Sequence, residues 1–299
     1  MTAPIDFRGE DLAPYANDFV CVDNCIVCQS KVTAEWASTP FPFRAIKCVD
    51  CGFVWMQTQP KRDSLQKYYS DYIGRRRISD PIKMKQRSVQ YQDDKNFLQR
   101  FVRSGRILDV GCNGGFFLEC LDNSFEKHGI EIDASAVKYA QQNYDFGVNV
   151  LCGDVLEAKY PDGKFDVLVM RGTIEHVTRP IKVIERCSKL LKTGGLFYIT
   201  ATPNVDSLAA ELFRDRWSLF HPVQHLWHFS PHTLSSICQS FGMTFVSSTF
   251  PYLGTAYENR RVDLELMLGE IVAKESNISS KRISPPFYES MMSIIFKKI

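Results

Sequence analysis

The chain has 299 residues, 44% of them hydrophobic, and a formal net charge of only +2. That length suits one ordinary α/β domain plus an accessory piece, with apolar content enough for a real core. So small a charge argues against a global positive field for gripping nucleic acid. No apolar run approaches the roughly 18 residues a membrane-spanning helix needs. The N-terminus lacks the basic-then-apolar pattern of a signal peptide. A cytoplasmic protein without internal repeats is expected.

Ten cysteines then need an explanation, because a cytosolic chain does not spend them on disulfides. Four of them form two pairs, Cys25-x-x-Cys28 and, nineteen residues later, Cys48-x-x-Cys51-Gly52. Two C-x-x-C pairs at this separation read as a four-cysteine zinc ribbon, and Gly52 helps the tight turn of a knuckle. Trp36 and the run from Phe41 through Phe43 to Ile46 supply short strands between the knuckles. Four thiolates leave no open coordination position, so the zinc is expected to be structural and to stabilise a unit too small to bury its own core. The rival reading, a redox dithiol, expects one C-x-x-C rather than two. Cys21 falls outside the spacing, and Cys112, Cys120, Cys152, Cys187 and Cys238 read as small core residues. This zinc-ribbon-like unit spans residues 1–60.

Residues 61–104 read as a helical linker. Leu65, Tyr68, Tyr69, Tyr72 and Ile73 recur at helical spacing. Arg75, Arg76 and Arg77 follow. Such a triplet is read either as a solvated face or as a grip on a phosphate-bearing substrate. Pro81 then opens a polar helix running to Phe101-Val102.

From residue 105 the pattern becomes more specific. The apolar strand Ile107-Leu108-Asp109-Val110 empties into a glycine-rich turn, and Phe116 to Leu121 reads as the helix after it. Strand, glycine turn and helix is how α/β folds open a nucleotide site at the carboxyl end of a strand. The dinucleotide pattern G-x-G-x-x-G is not met, since position 113 is Asn, and no Lys-Ser/Thr marks a triphosphate loop. What stands is Asp109-x-Gly111-x-x-x-Gly115. A second strand, His128 to Asp133, ends in acids about 20 residues past the glycines, where a carboxylate grips ribose hydroxyls. Cys152-Gly153-Asp154-Val155 follows, then a strand Phe165–Met170 running into Gly172-Thr173-Ile174-Glu175-His176-Val177. Leu190 to Ile199 holds a helix end, a Gly194-Gly195 turn and a fifth strand.

In this order the segments resemble the motifs of the class I S-adenosylmethionine (SAM) dependent methyltransferases, over residues 105–299. The resemblance implies a doubly wound, Rossmann-like α/β domain with a seven-stranded sheet and SAM as cofactor. It assigns SAM contacts to Asp109, Gly111, Asn113 and Gly115 in the first turn. It gives the ribose to Glu131, with Asp133 in reserve, and the adenine amino group to Asp154, with Ile132 and Val155 beside them. Asn113 departs from the family, which usually has Gly there, but Asn tolerates left-handed backbone angles. The resemblance also implies a lid from an N-terminal helix. Tyr68, Tyr69 or Tyr72 fits that role, or else packs against the zinc unit.

The segment after strand five, residues 203–232, is where such domains insert an acceptor pocket. Four of the six histidines, His221, His225, His228 and His232, fall here, with Trp217 and Trp227. The stretch from His225 to Pro231 resembles one found in small-molecule methyltransferases, sugar-modifying ones among them. Ser230-Pro231 reads as a helix start, Gly242 as its stop, 243–250 as strand six and 290–299 as a buried seventh strand.

Methyl transfer asks the protein to align acceptor and methyl and to accept a proton from a hydroxyl. Histidine suits that task. His176 leads because it follows the strand-four end that faces the methyl group, with His225 and His228 next; a hydrogen-bonded structural role is the alternative for each. Glu175 positions the acceptor or, as in some relatives, joins a metal site. The segment after strand four lacks the Asn/Asp-Pro-Pro-aromatic signature of nucleobase amino methylation. Transfer to a hydroxyl or carbon of a small molecule is therefore expected: a nucleotide sugar, a glycan precursor or a natural-product intermediate. The alternatives are an RNA methyltransferase gripping its substrate with the ribbon, and a non-catalytic SAM-binding partner. Lys31, Arg44, Lys47, Lys61 and Arg62 are interrupted by Asp23, Glu35 and Asp50, which is a weak basic stripe for RNA.

Overall fold

The computed structural model describes residues 19–37, 43–69, 73 and 81–299. Phe41, Tyr72 and the Arg75–Arg77 triplet, to which the sequence attaches a strand, a lid and a phosphate grip, lie outside the described residues. The N-terminal unit holds five short strands: β1 (Phe19–Cys21), β2 (Thr33–Ala37), β3 (Ala45–Cys48), β4 (Val54–Met56) and β5 (Thr58–Pro60). β2, β3 and β4 form an antiparallel meander, and β1 pairs antiparallel with β5. Gly52 turns the second knuckle at φ 76°, the left-handed conformation glycine adopts without a Cβ penalty. Helices α1 (Arg62–Tyr69) and α2 (Pro81–Leu98) follow.

The second layer alternates strand and helix: β6 (Gly105–Val110), α3 (Phe116–Cys120), β7 (Phe125–Glu131), α4 (Ala134–Asn143), β8 (Val150–Cys152), β9 (Phe165–Arg171), α5 (Pro180–Leu190), β10 (Leu191–Pro203), α6 (Leu208–Phe213), β11 (Trp227–His228), α7 (Pro231–Ser240), β12 (Met243–Thr249), α8 (Arg260–Glu275) and β13 (Met291–Lys298). Seven of these strands make one sheet in the order β12-β13-β10-β9-β6-β7-β8. Only β13 runs against its neighbours. The expected doubly wound α/β sheet is therefore present. Ile107–Val110 and Val167–Met170 are buried on both faces, which is why these strands read as continuous apolar runs. Met292–Phe296 is buried throughout, so the last strand shows no alternation. Ser230 caps α7 by accepting from Thr233 N at 3.3 Å, with Pro231 in the first turn and Gly242 (φ 71°) past its end. Among the described residues no helix is long and apolar enough to cross a membrane.

The two layers share a sheet. β11, from the segment after strand five, adds to the outer edge of β4, pairing Trp227 with Trp55 and His228 with Val54. Met56 N donates to Leu226 O at 2.9 Å, extending the ladder. Both faces of the resulting four-stranded sheet are covered by the larger domain. Phe53 stacks within 6.3 Å of Trp227 and 5.4 Å of Phe229, in a core that continues to Leu234, Ile237 and Phe197. On the other face Trp36, Val54 and Met56 pack with Phe213, Trp217 and Phe220. Phe53 is fully buried at this junction. Phe53→Ala is expected to cost about 3–5 kcal/mol and to lower denaturant stability in one cooperative transition. Two separated transitions in the variant would show that the layers unfold independently.

Candidate functional site

Gly111, Asn113, Glu131, Ile132, Asp154, Val155 and His176 line one cleft at the carboxyl ends of β6, β7 and β9. Such ends are where open α/β sheets place their ligands. The turn after β6 is held by the next strand: Glu131 Oε2 accepts from Asn113 N at 2.8 Å, while Oε1 accepts from Ile132 N and Asp133 N. Asn113 sits at φ 50°, the left-handed conformation expected of it. Gly111 is at φ 78°, and a Cβ there would lie 2.6 Å from Thr173 Cγ2. Gly115 stands apart from the lining as the left-handed cap residue of α3. Asp133 lines the cleft while capping α4 through Ser135 N.

Beneath the turn lies a buried set of charges. Asp109 is buried, its Oδ1 has no hydrogen-bond partner, and burial pushes its carboxyl up to about 7 despite the nearby Arg171. Arg171, the last residue of β9, lines the cleft, donates from Nε to Asp94 Oδ2 at 2.7 Å, and lies 4.3 Å from the Tyr91 ring centroid. Asn113 Oδ1 is likewise buried and unpartnered. Two orphaned acceptors beside a glycine turn fit the ammonium end of an amino-acid tail such as SAM carries. The Glu131 carboxylate at the next strand end fits paired hydroxyls.

The helix α1 lies across this cleft. Arg62 ion-pairs with Asp154 Oδ2 (3.0 Å) and Glu157 (3.1 Å), and Leu65 and Tyr69 line the opening. Tyr69 Oη is 2.9 Å from His176 Nδ1, so of the two described candidate tyrosines Tyr69 reaches the site, while Tyr68 packs among the apolar residues under the ribbon. Gln224 O is also 2.9 Å from His176 Nδ1. A carbonyl only accepts, so Nδ1 carries the hydrogen and Nε2 the lone pair. Glu175 Oε1 lies 3.8 Å from that Nε2.

The histidines divide. The His176 and His225 rings are 4.8 Å apart, and His221 is 4.9 Å from His225. His225 Nδ1 donates to Leu219 O at 2.7 Å. Glu175, His176 and His225 each place a ligand atom within 4.8 Å of the others, close enough to share one cation. His228 lies elsewhere: it stacks between Trp36 (5.8 Å) and Phe220 (5.3 Å), fully sealed, with both ring nitrogens unpartnered. Burial pushes its imidazole down to about 3, so it stays neutral. Neither His225 nor His228 is in the cleft lining.

The four ribbon cysteines converge. Cys25 and Cys51 sulfurs are 3.4 Å apart, Cys28 and Cys48 3.5 Å, and all four lie within 4.8 Å. These spacings are too long for a disulfide and near the roughly 3.8 Å edge of a tetrahedron with metal–sulfur bonds of about 2.3 Å. Backbone N–H groups at Val27, Cys28, Asp50, Cys51 and Phe53 point at the sulfurs, as thiolate ligands require.

Sequence reasoning assigns no site role to Arg171 and Asp94 and reads Arg62 only as part of a weak basic stripe. Arg171 carried a usable signal, a lone charge ending the apolar strand Phe165–Met170. Arg62 and Asp94 carried none, because each meets its partner only through the fold.

Comparison with known proteins adds to this geometry. The family described as "Methyltransferase domain" matches residues 84–248. A protein named ubiquinone biosynthesis O-methyltransferase from Paraburkholderia phymatum is 35% identical over 109 residues, covering 34% of this chain and 47% of that one. Its namesake from Coxiella burnetii is 30% identical over 112 residues, covering 34% and 46%. The chain thus spans about half the length of the curated relatives it matches. Among solved structures, a SAM-dependent methyltransferase from Archaeoglobus fulgidus is 21% identical over 71% of this chain and 94% of that one, with TM-score 0.48. One from Methanosarcina mazei is 14% identical over 68% and 97%, with TM-score 0.47.

Burial raises the fully enclosed Glu175 from an ordinary 4.5 to about 8. The folded chain therefore favours the neutral acid, and this contribution is whole below 4.5 and is lost as pH rises through about 8. Glu175→Gln is expected to flatten the fall of the unfolding midpoint across that window, read by thermal melts at a series of pH values. An unchanged slope would place the titration on another group.

Proposed function

The chain belongs to the methyltransferase-domain family, and we propose that it uses SAM to methylate a hydroxyl group of a small molecule. One observation carries the choice of a hydroxyl acceptor: at the cleft mouth the Gln224 carbonyl holds His176 in the tautomer whose basic nitrogen is Nε2. A carbon acceptor remains the second outcome of the test below. The names of the curated relatives, O-methyltransferases, support the hydroxyl reading.

When bound, SAM supplies an electrophilic sulfonium methyl group. The rest is the work of this chain. Glu131 would accept hydrogen bonds from the ribose hydroxyls and Asp154 would meet the adenine amino group, with Ile132 and Val155 helping to hold the adenine. Gly111 and Asn113 bring the backbone turn close, over Asp109. α1 excludes water above the cleft through Leu65 and Tyr69. His176 Nε2 accepts the hydroxyl proton, Tyr69 and Gln224 hold the ring in place through Nδ1, and Glu175 lies next to the charge that results. His225 packs behind His176 and supports its orientation. Small acceptors, nucleotide sugars among them, enter from the side of residues 203–232.

Calorimetry with SAM is expected to show binding by the wild type and loss of it in Glu131→Ala. With a hydroxyl acceptor, His176→Ala is expected to keep SAM binding and lose about 10²–10⁴ in turnover. Full turnover in His176→Ala would remove the base assignment, and a methylated carbon in the product would move the acceptor class.

We propose that the four cysteines hold one structural zinc ion. The convergence of four sulfurs with backbone N–H donors supports it, and no ligand position is left for chemistry. Elemental analysis is expected to give one zinc per chain. Chelation is expected to lower the thermal midpoint of the whole chain, because the knuckle at Cys48–Gly52 leads directly into Phe53. Full stability of metal-free protein would remove the claim.

A further inference from the structure

α8 (Arg260–Glu275) is built inside out. Its inward face is pinned by two acids: Asp263 accepts from Tyr252 Oη at 2.7 Å, and Glu270 from Arg216 Nη2 at 2.6 Å, with Met267 between them in the apolar cluster of Phe213 and Trp217. Its outward face carries Leu264, Leu268 and Val272, which are 50%, 59% and 61% exposed. A surface helix in a monomer arranges these classes the other way. The excess extends past the helix: nine of the 21 large apolar side chains exposed among the described residues lie between Leu253 and Tyr288. Concentrated apolar exposure of this kind marks an interaction surface.

The charges say which partner fits. Leu264, Leu268 and Val272 follow one another at four-residue steps, with Leu268 midway. Arg261, three residues before the stripe, and Glu275, three after it, are both exposed and lie at equal distances from Leu268 on the same face. A two-fold axis through Leu268 therefore lays Leu264 against Val272, Leu268 against Leu268, and Arg261 of each copy against Glu275 of the other. The antiparallel arrangement also opposes the helix dipoles favourably. We infer that α8 is the contact of a two-fold symmetric dimer, its occupant a second copy of this chain. Isologous contacts demand this self-complementarity, a hydrophobic patch with its opposite charges at the ends. An anionic lipid surface is the poorer match, because Glu265 and Glu275 border the same stripe.

Sedimentation velocity on the full chain across the micromolar range tests this. The wild type is expected to sediment as a dimer and Leu268→Arg as a monomer. Arg261→Glu is expected to weaken dimerisation at least about tenfold, and Arg261→Glu combined with Glu275→Arg to restore it. The substituted side chains point to solvent, and circular dichroism melts matching the wild type establish that each variant is folded. A wild type that stays monomeric, a dimer indifferent to Leu268→Arg, or a charge exchange that fails to rescue overturns the proposal. So does a monomer that sediments with phosphatidylglycerol vesicles, which assigns the stripe to lipid.

Discussion

A guanidinium in the cleft floor sets conditions that much of the molecule meets. The Arg171 side chain is mostly shielded from water, with 12% of it exposed, and a charge so placed is costly without a partner, so that partner must be placed with care. Asp94 supplies one oxygen to Arg171, and the other accepts from Thr200 Oγ1 at 2.6 Å and Tyr198 Oη at 3.3 Å. Thr200, having spent its hydrogen on Asp94, receives one from Ser293 at 2.6 Å. Through this chain of donors α2, β9, β10 and β13 are locked in register around one charge. Asp109 of β6 feels the same field, which restrains how far burial raises its carboxyl. The cleft is thus rigid on its floor, as a site that aligns two reactants must be.

Its roof is made differently. α1 follows β5 after a single residue, so the helix over the cleft is an extension of the ribbon. The ribbon is in turn sutured to the acceptor segment by β11. Glu175 O accepts from Leu226 N at 2.9 Å, and Trp227 Nε1 donates to Val177 O at 2.7 Å, so the loop bearing His176 is gripped by residues of that same segment. Cysteine knuckle, roof helix, residues 203–232 and the His176 loop form one connected body. The zinc proposed for the knuckles would, in such a body, stabilise the geometry of a site it never touches.

What could be read from residues alone was whatever has a short period or a fixed local cause. The strand–turn–helix at 105–121, the capped helix at 231–240 and the cysteine pairs are local, and each stands where its spacing put it. Glu131 was placed by its distance from the glycines and Asp154 by the resemblance of its segment, and both border the same cleft. Histidine roles were harder, because the chain clusters His221, His225 and His228 within eight residues while their environments diverge. His228 is sealed between Phe220 of its own segment and Trp36 of a remote one, and the chain near it does not announce the second. The bond between β4 and β11 was equally invisible. Two residues are too few for a strand signal, and their pairing is decided by the shape that brings them together.

That pairing also has a bearing on the order in which the molecule is completed during synthesis. Gln59 and Leu226, which meet beside it, are 167 residues apart in the chain. As residues 54–56 leave the ribosome, β4 is an edge with unsatisfied N–H and C=O groups, the kind of edge that invites foreign strands. It is closed only when residues 227–228 emerge, after five strands of the central sheet have been made. A segment made well before its partner is therefore finished late, and the metal proposed for the knuckles would offer the nascent unit a way to hold its shape while it waits.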